Sequence, residues 1–270
     1  EKKESTPTKK KTLGGDEYAK SVAASNMSAQ FTVIAVGQAG SNIATELQRV
    51  LNIPSTDVIA LNMSQADLSV SVALPENRIK FGRTEGAGKN RDLSKEEMKA
   101  NMSILETLAN KYKEKLFRPN NIVIVAYSTG GGTGSGTGTI VTTYLTQYVL
   151  SKKEEYGIVN TPQVLGLAIL PILDNNRADA GEKSYQNTLE CLSELYKIVT
   201  KKLGTFCLIS NDLTDFTSND PIEVYREVNK RVAEGFKRFF VQIGKSDSNA
   251  DLQDRLTALE HPGIFGIYPT

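Results

Sequence analysis

The chain has 270 residues, 39% of them hydrophobic, which is enough for one large core or for one core and the start of a second. Its 32 lysines and arginines against 31 aspartates and glutamates leave a net charge of +1, which excludes a strong global field toward nucleic acid or anionic lipid. A single histidine, His261, excludes His-based triads and multi-histidine metal centres, and the two cysteines, Cys191 and Cys207, sit in apolar runs without CxxC spacing, as core residues of a reducing compartment do.

Residues 1–28 are rich in Lys, Ser, Thr and Gly and poor in large apolar groups, so a disordered arm is expected there. They lack the apolar stretch of a signal peptide, and no run approaches the ~18 to 20 apolar residues of a membrane span, so a cytoplasmic protein without a membrane partner is expected. From Phe31 onward, short apolar β-branched runs alternate with helix-compatible stretches. Strands are predicted at Phe31–Val36, Asp57–Asn62, Ile79–Phe81, Asn121–Tyr127, Gln163–Leu170 and Thr205–Ser210. Strands alternating with helices specify a doubly wound α/β domain on a parallel sheet, whose ligand sites lie beyond the carboxyl ends of the strands. After Pro221, apolar residues at helical spacing (Tyr225, Val228, Val232, Phe236, Phe239) predict a long central helix reaching about Ile243, which closes the α/β domain over 29–243. A polar loop, a short helix over Ala250–Leu259 and a strand-like Gly263–Tyr268 follow, and a strand so near Thr270 leads us to expect a second α+β domain, truncated or missing, beginning in 244–270.

The loops after the strands carry the chemistry. Ser128-Thr-Gly-Gly-Gly-Thr-Gly-Ser-Gly136 follows a buried strand and precedes a helix predicted from about Thr137. Glycines there let consecutive N–H groups approach phosphate oxygens, helped by the positive end of the helix. Gly37-Gln-Ala-Gly-Ser-Asn42 stands at the next such junction; a Rossmann fingerprint is disfavoured there, because position 39 is Ala and the second strand ends in Asn62 rather than a carboxylate. A P-loop fails at 83 and 90, which are Arg and Asn.

Gly130-Gly-Gly-Thr-Gly-Ser-Gly136 resembles the GGGTG[ST]G signature of the tubulin/FtsZ superfamily, and the other loops then align in order. The resemblance implies GTP or GDP as ligand with Mg2+, whose ligands would be phosphate oxygens and waters, so no protein metal ligand is assigned. It implies a nucleotide site built from Gly37, Gln38, Ala39, Ser41 and Asn42; from Asn62 in Asn-Met-Ser-Gln, where Ser64 stands in place of the FtsZ aspartate; and from Gly86, Ala87, Gly88, Lys89 and Asn90 in a GAGxN-like loop over the γ-phosphate, to which Lys89 and Arg91 add cationic character. Gly130, Gly131, Gly132, Thr133, Gly134, Ser135 and Gly136 would cradle the phosphates, Asp174 and Arg177 would meet the sugar, and Asn211, with Tyr225 and Asn229 on one helical face, would read guanine.

Asn249-Ala-Asp-Leu-Gln-Asp254 resembles the family's two-aspartate synergy loop. Asp251 and Asp254 would repel their own triphosphate, so the resemblance implies catalysis in trans, completed when chains polymerise head to tail. Glu85 ahead of the loop and the divergent sugar segment are similar to plasmid and bacteriophage TubZ proteins, implying DNA positioning through a DNA-binding adaptor. An FtsZ-like division protein and a non-polymerising regulator are the alternatives.

Overall fold

The computed structural model describes residues 29–156, 162–172, 181–211, 218, 220–241 and 252–266. Its strands are β1 (Gln30–Val36), β2 (Val58–Asn62), β3 (Arg78–Lys80), β4 (Asn121–Ser128), β5 (Gln163–Leu170), β6 (Thr205–Ser210) and β7 (Ile264–Gly266). They form a parallel sheet in the order β3-β2-β1-β4-β5-β6-β7. The described helices are α1 (Gly37–Leu51), α2 (Gln65–Ser69), α3 (Arg91–Ala100), α4 (Ser103–Lys111), α5 (Lys113–Leu116), α6 (Thr133–Tyr156), α7 (Glu182–Thr200), α8 (Pro221–Phe236) and α9 (Leu252–Glu260). The expected doubly wound parallel sheet is therefore present.

Strand residues alternate between two cores, as a sheet covered on both faces requires. Val33, Ala35, Ile124, Leu167 and Ile209 face one core, packed against Ile43 and Leu47 of α1 and Val228 and Val232 of α8. Ile34, Val36, Ile59, Val125 and Phe206 face the other, packed against Met98, Leu105, Val141, Leu145 and Leu195. Cys191 and Cys207 are free and buried in different cores, on opposite faces of the sheet.

Several boundaries differ from those predicted. Asp57 lies in a 3₁₀ turn (Ser55–Asp57) rather than in β2, because its carboxylate is held by Lys115 and Arg118, each at 2.7 Å. β3 ends at Lys80, one residue before the predicted Phe81, which is a core residue. The central helix runs as α8 to Phe236 and on as a π-helical turn over Lys237–Val241, and its predicted end near Ile243 lies outside the described residues. The largest difference is α6, which starts at Thr133, so the second half of the glycine run is helical. Packing overrides the low helix propensity of glycine there: a Cβ on Gly136 would stand 2.3 Å from Arg91 O, and one on Gly138 would stand 2.2 Å from the Tyr127 ring.

The strand order reverses between β1, which leads outward to β2 and β3, and β4, which leads to β5, β6 and β7. The crevice beyond the carboxyl ends of β1 and β4 is the topological switch point, where such sheets hold ligands.

Candidate functional site

A cavity of about 500 Å³ opens at that switch point. Its floor is the junction of the first two loops. Gly37 adopts φ +72, a left-handed conformation that costs glycine little, and starts α1 directly after β1. Its missing side chain matters as well, since a Cβ would lie 3.2 Å from Gly134 N. Gly40 lets α1 sit on β4: a Cβ there would come within 2.2 Å of Ala126 O. Gln38, Ala39 and Asn42 line the cavity, and Gln38 Nε2 donates to Asn42 Oδ1 at 3.2 Å.

Between β4 and α6, Gly130, Gly131, Gly132, Thr133 and Gly134 form the opposite wall. The first-turn N–H groups of a helix have no intrahelical acceptors, and a helix as long as α6 adds about half a positive charge at this end. This wall is built to receive an anion. The 86–90 loop closes over it, and Gly86, Ala87, Gly88 and Lys89 line the cavity. Lys89 has φ +58 and makes no ion pair among the described residues, which leaves its ammonium for a ligand. Glu85 anchors this loop: its Oε1 pairs with Lys80 Nζ at 2.6 Å and its Oε2 accepts from Gln65 N at 3.0 Å. Those two partners, Lys80 first, hold its carboxyl below the usual range.

At the third loop Asn62 is buried; its Oδ1 accepts from Ser64 N and its Nδ2 donates to Asp67 Oδ2, both at 3.2 Å. Asn62, Ser64 and Asp67 all line the cavity. At the far end stand Asn211, Tyr225 and Asn229, brought together by the end of β6 and the first turns of α8. Asn211 Oδ1 is buried without a partner among the described residues. An aromatic ring beside two amides, one holding an unused acceptor, suits a flat heterocycle with hydrogen-bonding edges.

Some predicted residues turn away from the cavity. Ser41 is a buried residue of α1, and Ser135 Oγ donates back to Gly131 O. Gly136 is pressed against α3, and Asn90 is the N-cap of that helix, its Oδ1 accepting from Leu93 N at 3.1 Å. Arg91 does not face the cavity either. It is buried and ion-paired with Glu194 and, at 3.6 Å, with Glu190 of α7, because a buried guanidinium needs carboxylates and α7 supplies them. Burial pushes the Glu194 carboxyl up, but Lys95 and Arg91 outweigh it and its pKa lies below the usual value. Asp174, Arg177 and Asp251 lie outside the described residues.

Asp254 is exposed in the first turn of α9 and does not line the cavity. The far end of α9 sits at the amino edge of the sheet: Leu259 O accepts from Thr205 Oγ1 at 3.3 Å, and Glu260 Oε1 accepts from Gln163 Nε2 at 3.5 Å, both donors being the first residues of their strands. α8 connects the two edges. It leaves the cavity at Tyr225, and the turn that follows it brings Phe240 against Phe31, near the start of β1, with ring centroids 6.2 Å apart. Fifteen residues at 1.5 Å each put about 22 Å between those points.

Sequence reasoning missed Asp67, Ser128, Ile169, Pro171 and Ser184, all on the cavity wall. Asp67 had a readable signal: Ser64-x-x-Asp67 is a helix N-capping pattern, and Ser64 Oγ accepts from Asp67 N at 3.2 Å. Among the described residues no cluster of three or more His, Cys, Asp or Glu side chains could hold a metal, and no helix is long and apolar enough to cross a membrane.

The family model "Tubulin/FtsZ family, GTPase domain" matches residues 30–212. No curated protein sequence matches significantly. Among solved structures, CetZ from Methanosaeta thermophila superposes with a TM-score of 0.62 at 22% identity over 86% of this chain and 60% of its own. A GTPγS-bound protofilament of CetZ2 from Haloferax volcanii gives 0.63 at 21%, covering 87% and 64%, and a protofilament of TubZ from bacteriophage PhiKZ gives 0.59 at 19%, covering 86% and 62%. The chain thus spans less than two thirds of the length of each of these three.

Proposed function

Because the chain belongs to the Tubulin/FtsZ family, with residues 30–212 forming its GTPase domain, we propose that the switch-point cavity binds GTP and that the protein hydrolyses it when chains stack head to tail. The observation that carries this reading is the separation of the cavity from α9, whose Leu259 and Glu260 meet the amino ends of β6 and β5 and whose Arg255, next to Asp254, donates to Phe239 O at the far end of the central helix. A chain built this way offers an anion cradle at one end and acidic groups at the other, so translation along the axis of α8 brings one chain's Asp254 to its neighbour's cavity.

Within the cavity, guanine would lie between Asn211, Tyr225 and Asn229, and the phosphates would lie against Gly130–Gly134 and under the 86–90 loop. Sugar contacts are assigned to Asp174 and Arg177. Asp67 fits a hydrated magnesium ion: its carboxylate lines the phosphate end and has no ion pair among the described residues, so a cation beside it would balance both it and the phosphates. Magnesium, when bound, would offset charge on the phosphate oxygens. Hydrolysis in trans then needs Asp251 and Asp254 to orient a water and accept its proton as its oxygen bonds to the γ-phosphorus and the bond to the β–γ bridging oxygen breaks, yielding GDP and phosphate. As the finer role we propose positioning of plasmid or phage DNA through an adaptor in the cytoplasm, on the similarity of the Glu85-led loop to those of TubZ proteins.

The test is GTP turnover per chain against protein concentration in magnesium buffer, with ATP as control. The reading predicts that specific activity switches on above a critical concentration with GTP alone, and that Asp251→Ala binds GTP without turning it over. Turnover independent of concentration would contradict it.

A further inference from the structure

One buried side chain ties both phosphate loops to α7. Asn187 is fully buried, and its Nδ2 donates to Lys89 O at 2.9 Å, Gly131 O at 3.0 Å and Gly130 O at 3.2 Å. Three converging carbonyls fix the amide orientation, since the oxygen could not face them. The Asn187 Oδ1 is itself buried without a partner among the described residues, so this amide is committed to donating.

The environment shows what that geometry does. Asn187 belongs to a polar stripe on α7 facing the loops: Ser184 packs 3.4 Å from where a Gly130 Cβ would be, and Thr188 Oγ1 meets Thr129 Oγ1 at 3.2 Å. The bond to Lys89 O holds a residue in the left-handed region, where any residue other than glycine is strained. That bond offsets the strain and keeps the 86–90 loop folded onto Gly132, whose absent Cβ would stand 2.7 Å from Ala87 Cβ.

We propose that Asn187 is a positioning residue for the terminal phosphate, clasping the 86–90 loop onto the glycine wall in the closed form that discriminates a nucleoside triphosphate from a diphosphate. The inference rests on the nucleotide-binding reading above and adds a residue that does not line the cavity. Releasing the clasp frees the Lys89 peptide, so the loop opens and contact beyond the β-phosphate is lost, while the base contacts and the helix terminus of α6 stay in place.

Fluorescent GTP and GDP analogues titrated into the full chain below any assembly concentration test this, beside thermal melts without nucleotide. Asn187→Ser keeps one donor and Asn187→Asp replaces the donor with a charge that three carbonyls repel. For Asn187→Ser the expected result is a GTP affinity reduced about tenfold and a GDP affinity reduced less than threefold. Asn187→Asp should widen that gap, and if it does not fold, the serine variant decides alone. Equal losses for the two nucleotides, or unchanged GTP affinity, would overturn the proposal. A natural chain that binds neither nucleotide would instead overturn the reading beneath it.

Discussion

Replacing Gly132 by alanine puts a methyl group where two loops touch. Its Cβ would stand 2.7 Å from Ala87 Cβ and 3.0 Å from Lys89 N, whereas carbon atoms pack at about 3.5–4.0 Å. About 1 Å must therefore be found, and neither neighbour yields easily: Ala87 is buried, and the Lys89 peptide is pinned by Asn187. The 86–90 loop must lift, and a misplacement of about 1 Å at a reacting group lowers turnover on the order of 100-fold. Gly131→Ala is the matched control. Its Cβ would also approach to 2.7 Å, but the neighbour is Ser128 Oγ, which rotates away at small cost. GTP turnover above the assembly concentration, together with melting temperature, separates the two. Gly132→Ala should lose about two orders of magnitude in turnover with a small loss of stability, and Gly131→Ala should stay within about fivefold of the natural chain. Equal effects, or a Gly132→Ala chain as active as the natural one, would refute the view that this contact shapes the site.

Two further perturbations follow from the geometry. Asn211→Ala removes an acceptor that has no partner among the described residues at the base end of the proposed site, and should lower GTP affinity about tenfold while leaving ATP binding unchanged, read by competition titration. Asp57 contributes to the acid sensitivity of the fold: burial raises its pKa, but hydrogen bonds from Lys115 and then Arg118 outweigh that and lower it below the ordinary value. Its stabilisation is complete above the unfolded carboxylate pKa and is lost as pH falls through the lower folded one. Asp57→Asn should cost about 3 kcal/mol at neutral pH and flatten the decline in melting temperature below about pH 4.

The fold was legible because strands buried on both faces must be continuous apolar runs, and Ile122–Ala126 or Val164–Ile169 admit little else. The phosphate loops were legible because close backbone approach demands glycine, which leaves a visible mark. Tertiary partners were not legible. Arg91 reads as a cation for phosphate until α7 supplies Glu190 and Glu194 from about a hundred residues away. Asn187 follows no motif, since an asparagine on the inward face of a helix reveals its role only when the carbonyls it meets are known. The start of α6 was hidden by propensity: Thr133-Gly-Ser-Gly reads as a loop, and only the packing of α3 against Gly136 explains its helical form.

The central claim, that one chain's acidic helix completes its neighbour's cavity, is tested most directly by mixing two inactive chains. One carries Asp254→Ala with an intact cavity, and the other carries Gly132→Ala with an intact Asp254. If hydrolysis occurs in trans, the mixture pairs a sound cavity with a sound Asp254 at some interfaces, and GTP turnover should rise well above the sum of the two chains assayed alone. A mixture no more active than that sum, although both chains assemble, would contradict the account.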